Sequence, residues 1–431
     1  MPSRLPAPKP VSGRLPVWSN GPVIDVRTIT DEEIPAYVAA MRTGFAGHAD
    51  EEAIEVARPS IDPDRTLAAF DGRQVVGTAR AFASDMTIPG DRTIPVAGVT
   101  NVTVLPTHRR RGLLTEMMRQ QLDDVVARGE PLAVLIAAEA PIYGRFGYGA
   151  AVWRATLRVD SRAAAFAHPV PARTLEMVDL PTMRTVAPSV FEASRAGRPG
   201  ALARSEGMWD RRCGVRAAAE ELAELRKRFH VLARDDAGTI DGYMSYDHRG
   251  EWDGMRPNGT LVVRELCAAS PDAAAALWHH ALTMDWCVRV EADDRPVDDG
   301  LPWLLRDQRQ VVTTDVTDFV WVRVLDVPAA LSARGYGSTD RLVIEVDDRF
   351  RPDLGGRVVL DASPVGATCE PTTEAPDLTL DAAHLGAIYL GGTPLSRIAA
   401  AGRVREHTPG AVARADRLFL HSPAPWCSTW F

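Results

Sequence analysis

Apolar positions change period repeatedly along the chain, and the changes mark out alternating strands and helices. Leu114, Met117, Met118, Gln121, Leu122 and Val125 recur at three- and four-residue steps and leave Glu116, Arg119 and Asp123 on the opposite side, which predicts a helix over 113–127. The segment before it, 93–105, alternates as a strand, and 66–70 and 74–83 read as a strand pair joined by the turn Asp71-Gly72. Behind the helix, 132–138 is a continuous apolar run, as a central strand covered on both faces requires. Nearer the start, 26–29 reads as a strand, followed by Thr30-Asp-Glu-Glu33, a capping box ahead of Ile34, Val38 and Met41 on one helical face. These elements predict a mixed α/β unit over 23–160.

The theme recurs over 161–315. A strand is expected near 175–178, helices around 182–193 and 217–228, and strands at 230–233, 243–246 and 260–267, the last running into a helix after Pro271. From about Val316 the character changes. Strands are expected at 319–324, 342–346 and 358–360, and helices around 328–334, 381–389, 395–400 and 410–418, an α+β pattern over 316–431. Residues 1–22 carry Arg4, Lys9, Arg14 and several prolines, with no apolar core of signal-peptide length, and read as a flexible leader.

Composition narrows the class without naming a function. A chain of 431 residues exceeds one ordinary core, and 45% hydrophobic with 25% charged residues is the balance of a folded soluble protein. A formal net charge of −8 argues against nucleic-acid binding by counterion release and suits a cationic acceptor. The five cysteines are scattered, without a Cys-x-x-Cys pair, and read as reduced thiols; no metal and no disulfide is assigned. No apolar run is long enough to span a bilayer, so a cytoplasmic protein without membrane contact is expected.

Chemistry concentrates where the strand 93–105 meets the helix 113–127. In Val102-Thr-Val-Leu-Pro-Thr-His-Arg109-Arg110-Arg111-Gly112-Leu113-Leu114-Thr115, a strand ends, turns through arginines and glycine, and re-emerges as a helix. Free N–H groups at a helix N-terminus, the helix dipole and a glycine that permits close approach form a cradle for a pyrophosphate, which the arginine side chains then close over. Taken alone, the same residues also read as a solvated basic turn. Tyr143, Phe146 and Tyr148 lie among glycines and read either as an aromatic core patch or, for Tyr143, as a proton donor at the end of the central strand. Trp426, Trp430 and Phe431 read either as the last residues of a small core or as a segment anchored in a groove. Nucleophile elbows, P-loops and paired histidines at metal spacing are not found, and Asp293-Asp294 and Asp298-Asp299 around Pro296 read as a loop.

Arg109-x-x-Gly112-x-Leu114 after a strand resembles the acetyl-coenzyme-A loop of the GNAT N-acetyltransferases, departing from it at Leu114. The longer run from Pro106 to Thr115, the run Ile142-Tyr143-Gly-Arg-Phe-Gly-Tyr-Gly149 and the aromatic last residue together resemble the Eis (enhanced intracellular survival) family over nearly the whole chain. That resemblance implies tandem GNAT domains, the second degenerate, followed by a sterol-carrier-protein-like domain that delivers the C-terminus to the first. The second unit has Cys267-Ala-Ala-Ser-Pro271 where the first has its arginine cradle, and is expected to bind no coenzyme A.

The implied activity is acetyl-CoA-dependent N-acetylation of an amine-bearing small molecule, aminoglycoside-like or another polyamine, by direct transfer in a ternary complex. Val102, Thr103 and Val104 would pair with the pantetheine arm, Arg109, Arg110, Arg111, Gly112, Leu113, Leu114 and Thr115 would hold the pyrophosphate, and Ala138 and Glu139 would touch the cofactor after the central strand. Tyr143 would be the general acid, and the free carboxylate of Phe431 the general base. The family habit implies a homohexamer, a trimer of dimers. The alternatives are acetylation of protein lysines or of a metabolite amine, and a lipid- or ligand-binding protein whose acetyltransferase half is vestigial.

Overall fold

The structure, a computed structural model, describes residues 24–431. The leader expected over 1–22 lies outside the described residues. A first mixed sheet takes its strands in the order Asp25–Thr28, Thr66–Asp71, Gln74–Ile88, Arg92–Val104, Leu132–Ile136, Val320–Val324 and Gly149–Ala150. Local chemistry sets its turns. Gly72, at φ 62°, closes the first hairpin, and the Thr30 N–H donates to Glu33 Oε2 at 2.9 Å where the first helix begins.

The two faces of this sheet belong to different cores. On one face Met118, Leu122 and Val125 of the helix Leu113–Ala127 pack against Ala81, Ala97, Val99, Ala133 and Leu135. On the other, Met86, Ile88, Ile94, Val96, Leu132 and Val134 enter a cluster shared with the C-terminal unit. Leu132–Ile136 is thus covered on both sides, as its unbroken apolar run implied.

One strand is not where the sequence reading put it. Val320–Val324, expected in the third unit, instead completes the first sheet, antiparallel to Leu132–Ile136 from Val320↔Ile136 to Val324↔Leu132. The reason is burial. Val320, Val322 and Val324 alternate into the shared cluster, and their backbone satisfies what would otherwise be the open edge of the most buried strand. Trp153–Asp160, grouped from sequence with the first unit, lies in the second sheet, whose order is Val311–Asp318, Trp153–Asp160, Cys287–Pro296, Gly259–Ala268, Ile240–Arg249, Phe229–Arg234 and Thr174–Val178. The chain therefore crosses between the two sheets twice.

A third sheet, Gly366–Pro371, Gly356–Ser363, Asp340–Asp347, Leu378–Asp381 and Val404–Glu406, is backed by short helices. Its helix Ala382–Tyr389 lies directly on the first sheet. A Cβ on Gly386 would overlap the Val322 carbonyl oxygen, and one on Gly149 would overlap the Ala383 carbonyl oxygen and sit 2.6 Å from the Ala387 nitrogen. Backbone meets backbone there, and the fully buried Arg323–Asp348 ion pair ties the same junction. No helix of the described residues is long and apolar enough to cross a membrane.

Candidate active site

Arg92–Val104 and Leu132–Ile136 run parallel but pair only from Val96↔Leu132 to Val99↔Leu135. Beyond that point the first strand bulges: Asn101 takes φ 56°, the register against Gln74–Ile88 shifts, and the Asn101 carbonyl accepts a hydrogen bond from Thr78 Oγ1 at 2.8 Å. The two strands part and leave a slot. Leu105 N–H donates to Val76 O at 2.9 Å, so by antiparallel alternation Thr103 also bonds to the inner neighbour, while Val102 and Val104 turn their N–H and C=O groups towards the slot. Of the three residues expected to pair with an extended ligand, Val102 and Val104 therefore offer backbone, and Thr103 does not.

At the end of that strand Pro106–His108 forms a short turn, pinned by His108 Nε2 on Asp71 Oδ2 at 3.2 Å. Arg110 at φ 64° and Gly112 at φ 84° swing the chain into the helix Leu113–Ala127. No side chain caps that helix, so the first-turn N–H groups of Leu113, Leu114 and Thr115 face outwards without an i−4 partner. Arg109, Arg110 and Arg111 are exposed, and none forms a salt bridge with a carboxylate among the described residues; Arg109 and Arg111 donate only to the carbonyls of Val104 and Thr107, at 3.3 and 3.2 Å. Three guanidinia without a carboxylate partner, beside an uncapped helix N-terminus, fit a diphosphate. Leu113 is buried under the loop, so it contributes through its backbone alone.

Ala138 and Glu139 are exposed and follow the central strand, with Glu139 preceding the short helix Ala140–Tyr143. Tyr143 is 8% exposed and packs edge-on to Tyr148, ring centroids 6.2 Å apart, within the cluster that holds Val99 and Leu135. Burial first, and then the negative charge of Glu139, push its phenol above the ordinary value, so it carries its proton at neutral pH. Phe146 and Tyr148 are fully buried core residues.

The C-terminus arrives from the opposite face. Phe431 sets its ring edge-on to Phe82, centroids 5.3 Å apart, and Phe82 covers Gly98, whose missing side chain makes the space. Gly98 and Val99 are the last paired residues before the slot and point to opposite faces. Tyr143 therefore approaches the mouth of the slot from the helix side and Phe431 from the other.

Arg204 and Glu265, which the sequence reading passed over, and the acids around Pro296 hold this tail in place. Arg204, its side chain 1% exposed, donates to Ser428 O at 2.9 Å, Ser428 Oγ at 3.1 Å and Thr429 Oγ1 at 3.1 Å, and pairs with the buried Glu265 at 2.6 Å. Trp426 and Trp430 donate from their indole nitrogens to the backbone and carboxylate oxygens of Asp294, both at 2.7 Å, and Asp298 accepts the Ala424 N–H at 2.8 Å. The acids expected in a plain loop are tail anchors. Only their folded neighbours reveal it, because the partners lie more than a hundred residues away in the chain.

Comparison with known proteins agrees with this architecture. A profile described as an acetyltransferase (GNAT) domain matches residues 25–151, a second GNAT profile matches 200–324, and a sterol carrier protein domain matches 327–428. The chain is 33% identical over 402 residues to N-acetyltransferase Eis of Mycobacterium tuberculosis, covering 90% of this chain and 95% of that protein. It belongs to the Eis family of GNAT N-acetyltransferases. A protein of Streptomyces griseus described as an uncharacterized N-acetyltransferase is 40% identical over 416 residues, covering 95% of this chain and all of that one. The crystal structure of Eis1 from Mycobacterium abscessus superposes with a TM-score of 0.83 at 33% identity, covering 94% of this chain and 100% of that one. The chain is thus an acetyltransferase, an Eis-family member built from two GNAT domains and a sterol-carrier-like domain, and GNAT acetyltransferases use acetyl-CoA.

Proposed function

We propose that this Eis-family member acetylates an amine of a small, cationic molecule, aminoglycoside-like or another polyamine, in a ternary complex with acetyl-CoA. The carrying observation is convergence: the arginine cradle, the slot between the parted strands, Tyr143 on one side of its mouth and the chain's last residue on the other. Acetyl-CoA, when bound, supplies an acetyl group activated on sulfur. Leu113, Leu114 and Thr115 N–H groups with Arg109, Arg110 and Arg111 would hold its diphosphate, Val102 and Val104 would pair with its arm, and Ala138 and Glu139 would flank it at the end of the central strand.

An amine with a pKa near ~10 is mostly protonated at neutral pH and cannot attack until a base removes a proton. The carboxylate of Phe431 accepts that proton, directly or through a water. As the C–N bond forms and the C–S bond breaks, the electron pair leaves on sulfur, and Tyr143 Oη gives its proton there and is recharged from solvent. By family resemblance the enzyme works in the cytoplasm as a homohexamer, a trimer of dimers. Light scattering reads the assembly directly.

The test is thiol release from acetyl-CoA with a panel of amines, comparing the native chain with one extended by a single glycine after Phe431. Amine-dependent release that is lost on extension supports the reading. Release unaffected by the extension removes the carboxylate from the mechanism, and acetyl-CoA binding without release by any amine removes the small-molecule acceptor.

A further inference from the structure

The second GNAT unit has its own parted strands, and side chains of this chain bridge and flank them. Gly259–Ala268 and Cys287–Pro296 run parallel and pair from Gly259↔Cys287 to Val263↔Ala292, as Arg92–Val104 and Leu132–Ile136 do in the first unit. Beyond Val263 and Ala292 they separate. The helix that follows, Pro271–Leu282, is capped internally. Ser270 Oγ accepts the Ala273 N–H at 3.1 Å and donates to Asp241 at 2.5 Å, which puts a carboxylate where an anion would have to sit. Across the gap Arg295 donates to the Leu266 carbonyl at 2.9 Å and lies over the rings of Trp278 and Trp426.

The same strands hold the chain's own C-terminus. Glu265, on one parted strand, holds Arg204 and Arg212 at 2.6 and 2.9 Å, and Arg204 in turn grips Ser428 and Thr429. Asp294, on the other, takes both tail indoles and pairs with Arg154, which itself lies over the Trp430 ring. Arg204 is stacked on Phe191 and Trp209, 4.0 and 4.9 Å from their centroids, so its fork has little freedom. Thr429 Oγ1 also donates to Leu202 O at 3.3 Å, which links the tail to the segment bridged to Met86 of the first sheet.

We infer that the second GNAT unit has exchanged cofactor binding for capture of the C-terminal segment, and that Arg204, Glu265 and Asp294 are positioning residues that fix the Phe431 carboxylate at the acetyl-transfer site. The inference rests on the reading of that carboxylate as the base. It explains why a domain without an arginine cradle keeps the parted-strand geometry: side chains on the two parted strands now grip the tail.

Thr429→Val and Trp430→Phe test it, because the first removes the bonds to Arg204 and Leu202 and the second the bond to Asp294, both from the tail side, leaving the second unit's core intact. Both are made in the native chain and in the glycine-extended chain; kcat is measured in each, and KM for acetyl-CoA and the rate at which a carboxypeptidase removes Phe431 in the chain that ends at Phe431. The expected result in the native chain is release of Phe431 at least about fivefold faster, kcat lower by about tenfold and KM for acetyl-CoA within about twofold. In the extended chain, already deprived of its base, neither substitution should lower kcat further. Arg204→Lys, which keeps the charge beside Glu265 but not the fork, should behave like Thr429→Val. Unchanged Phe431 release overturns the capture, and faster release with unchanged kcat, where extension alone abolishes turnover, overturns the positioning role. If extension alone leaves kcat intact, the base reading fails, and the release rate still decides whether the second unit holds the tail.

Discussion

Replacing Tyr143 by phenylalanine separates the chemistry of the site from its packing. The ring is 8% exposed and packed against Tyr148 in the cluster with Val99 and Leu135, and its hydroxyl makes no hydrogen bond to another described residue. Phenylalanine keeps every ring contact, so the stability cost should stay below about 1 kcal/mol, whereas alanine at the same place should cost about 3–5 kcal/mol through the cavity it leaves. A proton donor acting in the transition state is worth about 10²–10⁴ in rate, equivalent to about 3–5 kcal/mol of barrier. Tyr143→Phe should therefore melt almost with the native enzyme, bind acetyl-CoA with a similar KM, and lose two to four decades, on the order of 10²–10⁴, in kcat. The pH profile gives a second signature. Burial and the Glu139 charge both raise the phenol's pKa, so the native profile should hold its proton-donor limb beyond an ordinary phenol's ~10, and the variant should lack that limb. The assay is thiol release under saturating acetyl-CoA with thermal melting alongside, and a variant that keeps kcat within about threefold refutes the assignment.

Other perturbations read other parts of the argument. Arg110→Ala with Arg111→Ala should raise KM for acetyl-CoA by about 10–100-fold, the loss of charge-assisted bonds to a diphosphate, with a difference from the native enzyme that shrinks as salt is added; steady-state kinetics at two ionic strengths checks it. Gly149→Ala forces its Cβ onto the Ala383 carbonyl and should cost at least about 2 kcal/mol, read as a lower melting temperature. Glu265 is buried, which raises its pKa, but Arg204 and Arg212 outweigh burial and hold it low. Its contribution is present above the unfolded carboxylate value of ~4.3 and is lost as pH falls through the folded one, so Glu265→Gln should be less stable at neutral pH and flatten the acid limb of the stability curve.

Much of the first unit is legible in the sequence because its signals are local. The period of Met117, Met118, Leu122 and Val125, the turn at Gly72 and the run from Arg109 to Gly112 each need only a few neighbours to be read. Val320–Val324 is not legible in that way: an alternating strand advertises that it is a strand but not which sheet takes it, and here the acceptor edge is Leu132–Ile136, far earlier in the chain. Val311–Asp318 is mostly exposed and shows no alternation to find. At the site, the run from Arg109 to Gly112 has a local pattern and Tyr143 is singled out only through the family resemblance, while Arg204, Glu265 and Asp294 look like any other charges until the tail is laid beside them.

The placement of Val320–Val324 also governs the order in which the protein can be assembled. The strand that seals Leu132–Ile136 is synthesised after the whole second unit, so during translation the first sheet waits with a fully apolar strand edge open. A fragment cut after residue 151, where the first GNAT profile ends, would keep that edge permanently and be prone to stick to its own copies. The first sheet is contiguous in space but not in sequence, and a fragment that closes it has to run at least to Val324.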